Sequence, residues 1–448
     1  MKYKVTLTVY KACEPPNAWL VDTEYYVIRS VSLNLQDTGM AITSRMDTVD
    51  YMCPALSATN SCRRMTGASS GPGYVRAVYY DTVVVPGRSA DLTFYWKSYT
   101  RNYEVTNLQP YFGTYIECGI NNTIRYNAST PRYLTEPLAF MCVRQSFQIS
   151  NSPYSTQADS LITYGKFSQD GPATMIPFQV GYSVTNPVGG TFYKVDSATG
   201  LVSFMSNVTG KHVTAYRTDA YDRNSHTRVS YTMRDVQLAV LPCSSIGATI
   251  SDTIINRTGG RQLHHANDIE IDADSTLSFD VIGGTFTGTP SLLTSDHALT
   301  APGSVFSLSP AGISPVSGHF SWTPGIADTG LHLLTFTAMD STCSIMQVLL
   351  LPRYLLVQVH VKKNSSNVGI PGIPGHAPLS VYPNPAKNEL YFTNDRMDAA
   401  WVMNIMGQSV LQVQQPGKSI DITSLPAGRY FVKMIRGKEV SIATFTRN

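Results

Sequence analysis

The chain has 448 residues, 15% of them charged, and a formal net charge of +3. Three or four domains are expected at this length, and each can bury its own hydrophobic core. No basic stripe or run of Lys and Arg appears, so nucleic acid is not an expected partner. The 26 Tyr, the many Thr, Ser and Val and the sparse helix-type periodicity predict an all-β chain.

The chain opens on a predicted strand. Residues Val5 to Tyr10 alternate apolar side chains with Thr, which is the period of a strand. The basic start is similar to that of a signal peptide, but the short segment before Lys11 is too brief and too polar for one. We therefore expect that the natural chain begins upstream, or that this sequence starts at an internal Met.

The first unit is expected to span residues 1–126. Strands are predicted over 3–10, 26–34, 75–85 and 91–96, because apolar and polar side chains alternate there and Pro, Gly and Ser fill the loops between them.

Seven cysteines are spread over the chain, which suits a protein that passes through an oxidising compartment. The odd count leaves at least one thiol unpaired or bonded to another molecule. Cys53 and Cys62 bracket the short loop PALSATNS and are the predicted disulfide, with two free thiols as the alternative. Cys243 with Cys343 is a second candidate bridge.

Two further units are predicted from an internal repeat whose offset stays between 115 and 120 residues. The matched segments are Ala158 to Tyr164 with Ala273 to Phe279, Gly200 to Phe204 with Gly318 to Trp322, Thr209 to His212 with Thr329 to His332, and Ala220 to Asp222 with Ala338 to Asp340. This length suits one immunoglobulin-sized sandwich. We place the copies at 127–243 and 244–362.

Residues 363–378, KKNSSNVGIPGIPGHA, are predicted to be a linker, because closely spaced Gly and Pro prevent regular structure. The most apolar run of the chain, Val348 to Leu356, is interrupted by Pro352 and Arg353. No stretch of sequence is therefore predicted to cross a membrane.

The last 70 residues, 379–448, contain three motifs. The first is a turn in which two prolines flank an asparagine ahead of a strand, because proline cannot sit inside a sheet. The second is a strand that ends at a glycine turn, and the third is a Pro-Gly turn that leads into an alternating strand. The motif residues are Pro383, Asn384, Pro385, Leu390, Gly407, Leu425, Gly428 and Tyr430.

In this order and spacing the motifs resemble the type A C-terminal sorting domain of the type IX secretion system in Bacteroidetes. The resemblance implies that the secretion machinery recognises residues 379–448 and carries the protein to the cell surface or beyond. It also implies cleavage in the linker near Gly369 to Pro378, with the new end joined to anionic lipopolysaccharide. The ending Thr446-Arg447-Asn448 departs from the family, which usually closes on a basic residue.

Residues 1–360 bear a looser resemblance to adhesin-like and gliding-associated surface proteins of Bacteroidetes. It is carried by YKVTLTVYKAC, WKSYTRNYEVTNL, NASTPRYLTEPLAFMC and SFMSNVTGKHVTAYRTDAYD. The resemblance implies tandem immunoglobulin-like or cadherin-like β-sandwich domains. Ser98-Tyr99-Thr100 stands where that family commonly has a paired cysteine, so one family disulfide is missing here.

Carboxylates give a candidate calcium site. Asp268, Glu270, Asp272 and Asp274 lie at alternate positions and Asp340 ends a later strand, and clustered oxygen ligands of this kind suit Ca²⁺. The candidate ligands are Asp272, Asp274 and Asp340. In cadherin-like modules Asp residues at strand ends bind calcium, but the full cadherin linker motif is absent. The alternative is a solvated edge strand.

No catalytic constellation is recognised. The sequence lacks the G-x-S-x-G elbow of serine hydrolases, and none of its carboxylate pairs has a distinctive context for a glycosidase. The pair His264-His265 has no partner at metal-ligand spacing.

Four tyrosines that lie close together in sequence form a candidate sugar- or protein-binding face: Tyr99, Tyr103, Tyr111 and Tyr115. The alternative is that they are ordinary half-buried strand residues.

A recurring Asp-Ser or Asp-Thr pattern, followed by a small or aliphatic residue or Thr, resembles the O-glycosylation acceptor of Bacteroidetes. Turn and cap chemistry of Asp-Ser pairs is the alternative. The candidate acceptors are Thr48, Thr82, Ser160, Ser197, Thr253, Ser275 and Ser341.

The sequence therefore predicts tandem immunoglobulin- or cadherin-like β-sandwiches followed by a small C-terminal β-sandwich. The expected function is that of an exported, non-enzymatic adhesin-like or structural surface protein, with a glycan or protein ligand at the surface. The alternative is the non-catalytic portion of a secreted hydrolase. No cofactor is expected apart from the candidate Ca²⁺.

Overall fold

The computed structural model describes residues 1–13, 20–49, 62, 73–101, 104–155, 160–222, 225–242, 248–285, 291–309, 314–340, 352–363, 380–392, 397–436 and 439–448. Nearly all regular structure in these residues is β, as predicted. The chain divides into two compact units, Met1–Ser365 and Ser366–Asn448. The division falls inside the segment predicted to be a linker.

The first unit opens with six antiparallel strands, in the spatial order β1-β4-β3-β2-β5-β6. They are β1 (Lys2–Ala12), β2 (Thr23–Ser30), β3 (Leu35–Val49), β4 (Tyr74–Val84), β5 (Leu92–Ser98) and β6 (Thr114–Ile120). One face is apolar and forms a core that includes Leu7, Ile28, Tyr79, Phe94 and Trp96.

The predicted strand over 26–34 ends earlier, because residues 31–34 form the turn to β3. β3 itself was not predicted. Most of its side chains are exposed, and its sequence LQDTGMAITSRMDTV has few apolar residues at alternate positions, so the two-residue period is weak. Its place in the sheet comes from pairing on both sides, with β2 and with β4.

Eleven strands follow in residues 132–241. They are β7 (Arg132–Tyr133), β8 (Leu138–Cys142), β9 (Ser146–Ser150), β10 (Pro153–Tyr154), β11 (Ser160–Lys166), β12 (Gln169–Gly171), β13 (Thr174–Met175), β14 (Gly190–Val195), β15 (Leu201–Ser206), β16 (Gly210–Tyr221) and β17 (Arg228–Leu241). The aromatic side chains Phe140, Phe147, Phe204 and Tyr216 lie in their core.

The predicted boundary at residue 126 does not separate two sheets. One edge of β17 pairs with β6 through Ser230, Tyr231 and Thr232, and further along with β8. A single twelve-stranded sheet therefore runs from β1 to β11. Sequence periodicity identifies strands but not their neighbours, so a long strand shared by two cores is invisible to it.

Residues 248–362 form a sandwich of two five-stranded sheets. Its elements are β18 (Ala248–Ile250), β19 (Ile255–Thr258), β20 (Arg261–Gln262), β21 (Asp268–Asp272), β22 (Leu277–Thr285), β23 (Ser291–Ser295), α1 (His297–Thr300), β24 (Val305–Leu308), β25 (Val316–Trp322), a 3-10 turn (Ile326–Asp328), β26 (Gly330–Asp340) and β27 (Arg353–Lys362). Both sheets contribute to one core, in which the rings of Phe279 and Phe320 stack with centroids 4.8 Å apart and Phe336 meets Phe279 edge-on. Side chains from the two inner faces fill the space between the sheets, as in immunoglobulin-like sandwiches.

The internal repeat has a structural basis. In both copies an early strand pairs in parallel with the last one, β8 with β17 and β21 with β27. Three of the four matched segments lie on corresponding strands, β15 with β25 and β16 with β26. The match of 158–164 with 273–279 is wrong, because β11 pairs with β16 whereas β22 pairs with β25. The counterpart of β11 is β23, which pairs with β26.

The two repeats contact each other through buried polar groups. The hydroxyls of Ser152 and Thr335 are 2.8 Å apart, and Ser152 donates to the carboxylate of Asp296 at 3.3 Å. Asp296 also accepts from the Thr335 amide at 2.8 Å. Desolvation raises the pKa of Asp296 above its usual range, although these hydrogen bonds oppose the shift.

The predicted bond between Cys53 and Cys62 is wrong, because Cys62 is bonded to Cys13, with Cα atoms 5.0 Å apart. Pairing of β1 with β4 explains this choice, since it brings the end of β1 beside the chain that enters β4, where the Cys13 amide donates to the Gly73 carbonyl at 3.0 Å. Cys53 lies outside the described residues, as do Cys243 and Cys343.

Among the cysteines in the described ranges, Cys118 is a free thiol, in line with the odd cysteine count. Burial raises the pKa of this thiol to about 12, so it stays protonated at neutral pH and is a poor nucleophile. Cys142 is disulfide-bonded. Its partner is none of the other cysteines that the structure describes.

A carboxylate stabilises the turn between β2 and β3, and its titration gives a first prediction. Asp91 accepts hydrogen bonds from the hydroxyls of Ser32 at 2.6 Å, Ser89 at 2.7 Å and Ser30 at 2.8 Å, and from the Val31 amide at 2.9 Å. These donors, Ser32 foremost, hold the pKa of Asp91 well below its usual range.

We expect Asp91→Asn to lower the melting temperature at pH 7, because the neutral amide replaces a carboxylate that these four donors favour. A depressed folded-state pKa gives stability that is present above the unfolded-state pKa and is lost as pH falls through the folded value. The difference between wild type and variant should therefore shrink as thermal scans move from pH 7 to below pH 4, where about half of a free Asp is protonated. A difference that is the same at both ends would contradict this assignment.

Candidate functional site in the C-terminal unit

The C-terminal unit is a small sandwich of a three-stranded and a four-stranded sheet. Its strands are β28 (Val381–Tyr382), β29 (Glu389–Phe392), β30 (Ala399–Met403), β31 (Ser409–Gln414), β32 (Ser419–Asp421), β33 (Gly428–Arg436) and β34 (Glu439–Arg447). The orders are β28-β29-β32 and β31-β30-β33-β34. Leu390, Val402, Ile420, Val432 and Phe445 belong to the core between them.

The first motif forms the predicted turn before a strand, between β28 and β29. Pro383, Asn384 and Pro385 are exposed, and Leu390 is fully buried. The Asn384 amide nitrogen donates to the Thr444 carbonyl at 3.2 Å, and its oxygen accepts from the Thr446 amide at 2.9 Å. One side chain therefore makes two ladder-type hydrogen bonds with the last strand, a role that its sequence position does not reveal.

Backbone hydrogen bonds also join this turn to the last strand. The Ala386 amide donates to the Thr446 carbonyl at 2.8 Å, and the Asn448 amide donates to the Ala386 carbonyl at 2.9 Å. Four hydrogen bonds thus join the first turn of the unit to residues 444–448, although the bonded residues lie 60 or 62 positions apart in sequence. The extreme end of the chain is part of the fold.

Removal of the Asn384 amide gives a second prediction. We expect Asn384→Ala to destabilise the C-terminal unit by about 1–2 kcal/mol, because two hydrogen bonds are lost at a partly exposed site. Hydrogen exchange of the Thr446 amide in the full chain measures this, and its rate should rise about tenfold. Asn388→Ala is the matched control, since Asn388 is also exposed and lies on the same turn. Equal exchange in both variants would contradict the role of Asn384.

The second motif is the hairpin turn between β30 and β31. Gly407 has φ = +79°, a conformation that strongly favours glycine. The Asn404 side-chain oxygen accepts from the amides of Met406 and Gln408, each at 3.0 Å. The strand ends at Met403, earlier than predicted, and the side chains of Ile405 and Met406 are exposed at the tip.

The third motif leads into β33. Asp421 accepts from the hydroxyl of Thr423 at 2.7 Å and from its amide at 2.8 Å, and these bonds lower the pKa of Asp421. Leu425 is buried after this turn. The Tyr430 hydroxyl donates back to the Pro426 carbonyl at 2.8 Å, and its ring stacks on Phe445.

Gly428 is the first residue of β33 rather than part of the turn, and a Cβ there would meet the Tyr430 ring at 3.7 Å, an ordinary contact. Tyr430, Val432 and Met434 alternate into the core, as predicted. The motif residues thus fall into two groups. Some shape exposed turns, and the others fill the core or hold β33 against β34.

The candidate calcium ligands do not converge. Asp272 pairs with Lys362 at one end of β27, whereas Asp340 lies beyond Arg353 at the other end. At about 3.3 Å per residue, the ten-residue β27 separates them by roughly 30 Å. Asp274 is exposed in the turn after Asp272, so a single ion with ligands at about 2.4 Å cannot bind all three.

His264 has partners that the sequence did not reveal. Its Nδ1 lies 2.6 Å from one carboxylate oxygen of Asp268, and His360 Nε2 lies 2.9 Å from the other. Burial acts to raise the pKa of Asp268, but the hydrogen bonds from both imidazoles lower it overall. Among the described residues, no group of His, Cys, Asp and Glu is arranged to hold a metal ion.

Six of the seven candidate glycan acceptors are exposed, and Ser341 lies outside the described residues. The exposed acceptors are Thr48, Thr82, Ser160, Ser197, Thr253 and Ser275.

Of the clustered tyrosines, Tyr99 and Tyr111 are exposed and Tyr115 is buried, so they do not form one face. Tyr103 lies outside the described residues.

Residues 380–446 match the family model of the secretion system C-terminal sorting domain. The C-terminal unit is a sorting domain. This confirms the sorting-domain part of the prediction made from the three motifs, and the match implies that the type IX secretion machinery handles the protein. A protein sorted in this way is secreted or attached to the cell surface. No described helix has both the length and the apolar character of a bilayer span.

No curated protein matches the chain. Among solved structures it is similar to titin domains in complex with telethonin, at 9% identity over 53% of this chain and 100% of the other, with a TM-score of 0.17. It is also similar to the N-terminal eight Ig domains of Down Syndrome Cell Adhesion Molecule, at 9% identity over 100% of this chain and 47% of the other, with a TM-score of 0.19.

A third similar structure is an endo-fucoidan hydrolase of glycoside hydrolase family 107, at 12% identity. The match covers 72% of this chain and 39% of that one, with a TM-score of 0.16. TM-scores this low support no conclusion about the function of this chain.

Proposed function

We propose that this protein is an adhesin-like or structural component of a Bacteroidetes cell surface, exported by type IX secretion through its sorting domain. The observation that carries the proposal is the sorting sandwich, in which the Asn384 side chain is hydrogen-bonded to the last strand. Two sandwich repeats that contact each other through buried polar groups suit a stiff extracellular stalk rather than a catalytic scaffold.

A surface-delivery experiment tests whether the C-terminal unit directs export. The full chain, fitted with a signal peptide and expressed in a Bacteroidetes host, is compared with a version that ends at residue 378. Only the full chain should become accessible to protease added to intact cells. Equal accessibility of both versions would show that the C-terminal unit is not the export signal.

The exposed Asp-Ser and Asp-Thr positions support O-glycosylation of the exported protein, because a transferase needs an accessible hydroxyl. Intact mass of the exported chain, compared with chain purified from a cytoplasmic expression host, measures this directly. We expect discrete mass increments that fall when Thr82→Val and Ser160→Ala are combined. An exported chain with the unmodified mass would remove the proposal.

A further inference from the structure

The outward side of the four-stranded sheet in the sorting domain is apolar. We call it the outer face and define it by Trp401, Phe431, Lys433, Ile435, Val440 and Ile442. These residues alternate with the core residues of β30, β33 and β34, so they point away from the sandwich. Phe431 is 37% exposed and Ile442 59%, whereas such side chains usually face a core.

Register places these side chains in adjacent rows. Trp401 is opposite Lys433, which is opposite Ile442, and Ile435 is opposite Val440. The Lys433 ammonium lies 5.1 Å from the centre of the Trp401 ring. Apolar side chains on neighbouring strands therefore adjoin one another on this surface, and exposed apolar patches mark interaction sites.

The charges on the outer face have one sign. Lys433 lies inside the patch and Arg429 continues the same side of β33, while no described outward position of the four strands holds Asp or Glu. Two copies of this face would bring like charges together, which disfavours self-association. Charge complementarity instead selects a partner that is apolar and acidic.

The open edge of the four-stranded sheet indicates that the partner is a protein rather than a lipid bilayer. β34 is an edge strand, and among the described residues its open side is occupied only from Thr444 onward, by Asn384 and Ala386. The backbone beside Val440 and Ile442 is left to pair with another extended chain. A bilayer cannot satisfy such backbone groups, and two cations are few for membrane attachment.

We propose that the outer face of the sorting domain docks against an apolar, acidic protein surface of the export machinery, with Lys433 setting the charge preference. This inference rests on the proposed export function and names the surface through which export operates. The exposed turns of the three motifs then preserve the fold, while the outer face makes the contact.

Surface delivery of full-chain variants tests the docking face. Phe431→Ser combined with Ile442→Ser should lower protease-accessible protein at least about tenfold, because apolar hot-spot contacts are lost. The matched control is Tyr382→Ser combined with Tyr391→Ser, on the outward side of the other sheet, where Tyr391 is 38% exposed. This control should stay within about twofold of wild type, since its residues lie off the outer face.

A charge series gives a second readout that does not remove apolar area. Lys433→Glu should reduce delivery more than Lys433→Gln, whereas Lys418→Glu, an exposed lysine away from the outer face, should have no effect. Thermal unfolding of the purified full-chain variants establishes that they remain folded. Normal delivery of the folded outer-face variants would overturn the docking inference, provided that truncation at residue 378 still abolishes delivery.

If the truncated chain is also delivered, the export proposal itself fails, so the two failures are distinguishable. Flotation of the purified full chain with phosphatidylglycerol vesicles checks the lipid alternative. We expect no flotation. Vesicle binding that Phe431→Ser with Ile442→Ser removes would assign the face to a lipid surface and overturn the protein partner.

Discussion

Replacement of Arg234 by Met is expected to destabilise the first unit by about 3–5 kcal/mol, since it leaves buried polar groups without a partner. The Arg234 guanidinium donates to the Thr135 carbonyl at 2.8 Å, to the Asn151 side-chain oxygen at 2.9 Å and to the Ser150 carbonyl at 3.4 Å. It also lies 4.4 Å from the centre of the Tyr133 ring. Burial lowers the pKa of Arg234, and hydrogen bonds to a buried charged group are stronger than those between neutral groups.

The effect should extend beyond β17, because Arg234 fixes the segment 133–151, which continues directly into Ser152 at the contact between the repeats. Urea unfolding of the full chain, followed by tryptophan fluorescence, measures the loss as a lower midpoint of the first transition. The matched control is Arg88→Met. Arg88 also lies over a ring, 5.1 Å from the centre of Tyr126, but is exposed. Equal midpoints for the two variants would contradict the role of the buried contacts.

Replacement of Cys13 by Ser is expected to cost about 2–4 kcal/mol, because the bond to Cys62 closes a loop across 49 residues and its loss frees the unfolded chain. The loss should appear as a lower melting temperature of the oxidised protein. Under reducing conditions the variant and the wild type should unfold together, because neither then has the cross-link.

Peptide mapping without reduction tests the pairing itself. A linked peptide that contains Cys13 and Cys62 is expected, and one that contains Cys53 and Cys62 would restore the pairing proposed from sequence alone. Cys118→Ser is the control, because Cys118 is a free buried thiol and no cross-link depends on it. It should leave the disulfide-dependent stability unchanged.

The local sequence determined the fold class and the presence of a sorting domain. Two-residue alternation predicted strands such as β1 and β5, since each of them has one more buried, apolar side and one more polar side. Proline and glycine placed the turns at Pro383 and Gly407, because these residues restrict or extend the backbone wherever they stand. The three motifs of the sorting domain could therefore be identified without any knowledge of their contacts.

Only the tertiary structure decided which strands are neighbours, and the remaining differences follow from that. Pairing of β1 with β4 selects Cys13 as the partner of Cys62, and the length of β27 separates Asp272 from Asp340. The role of Asn384 and the exposure of the outer face also depend on register with β34. Such pairings join residues distant in sequence, and local periodicity specifies which side of a strand is buried but not what covers it.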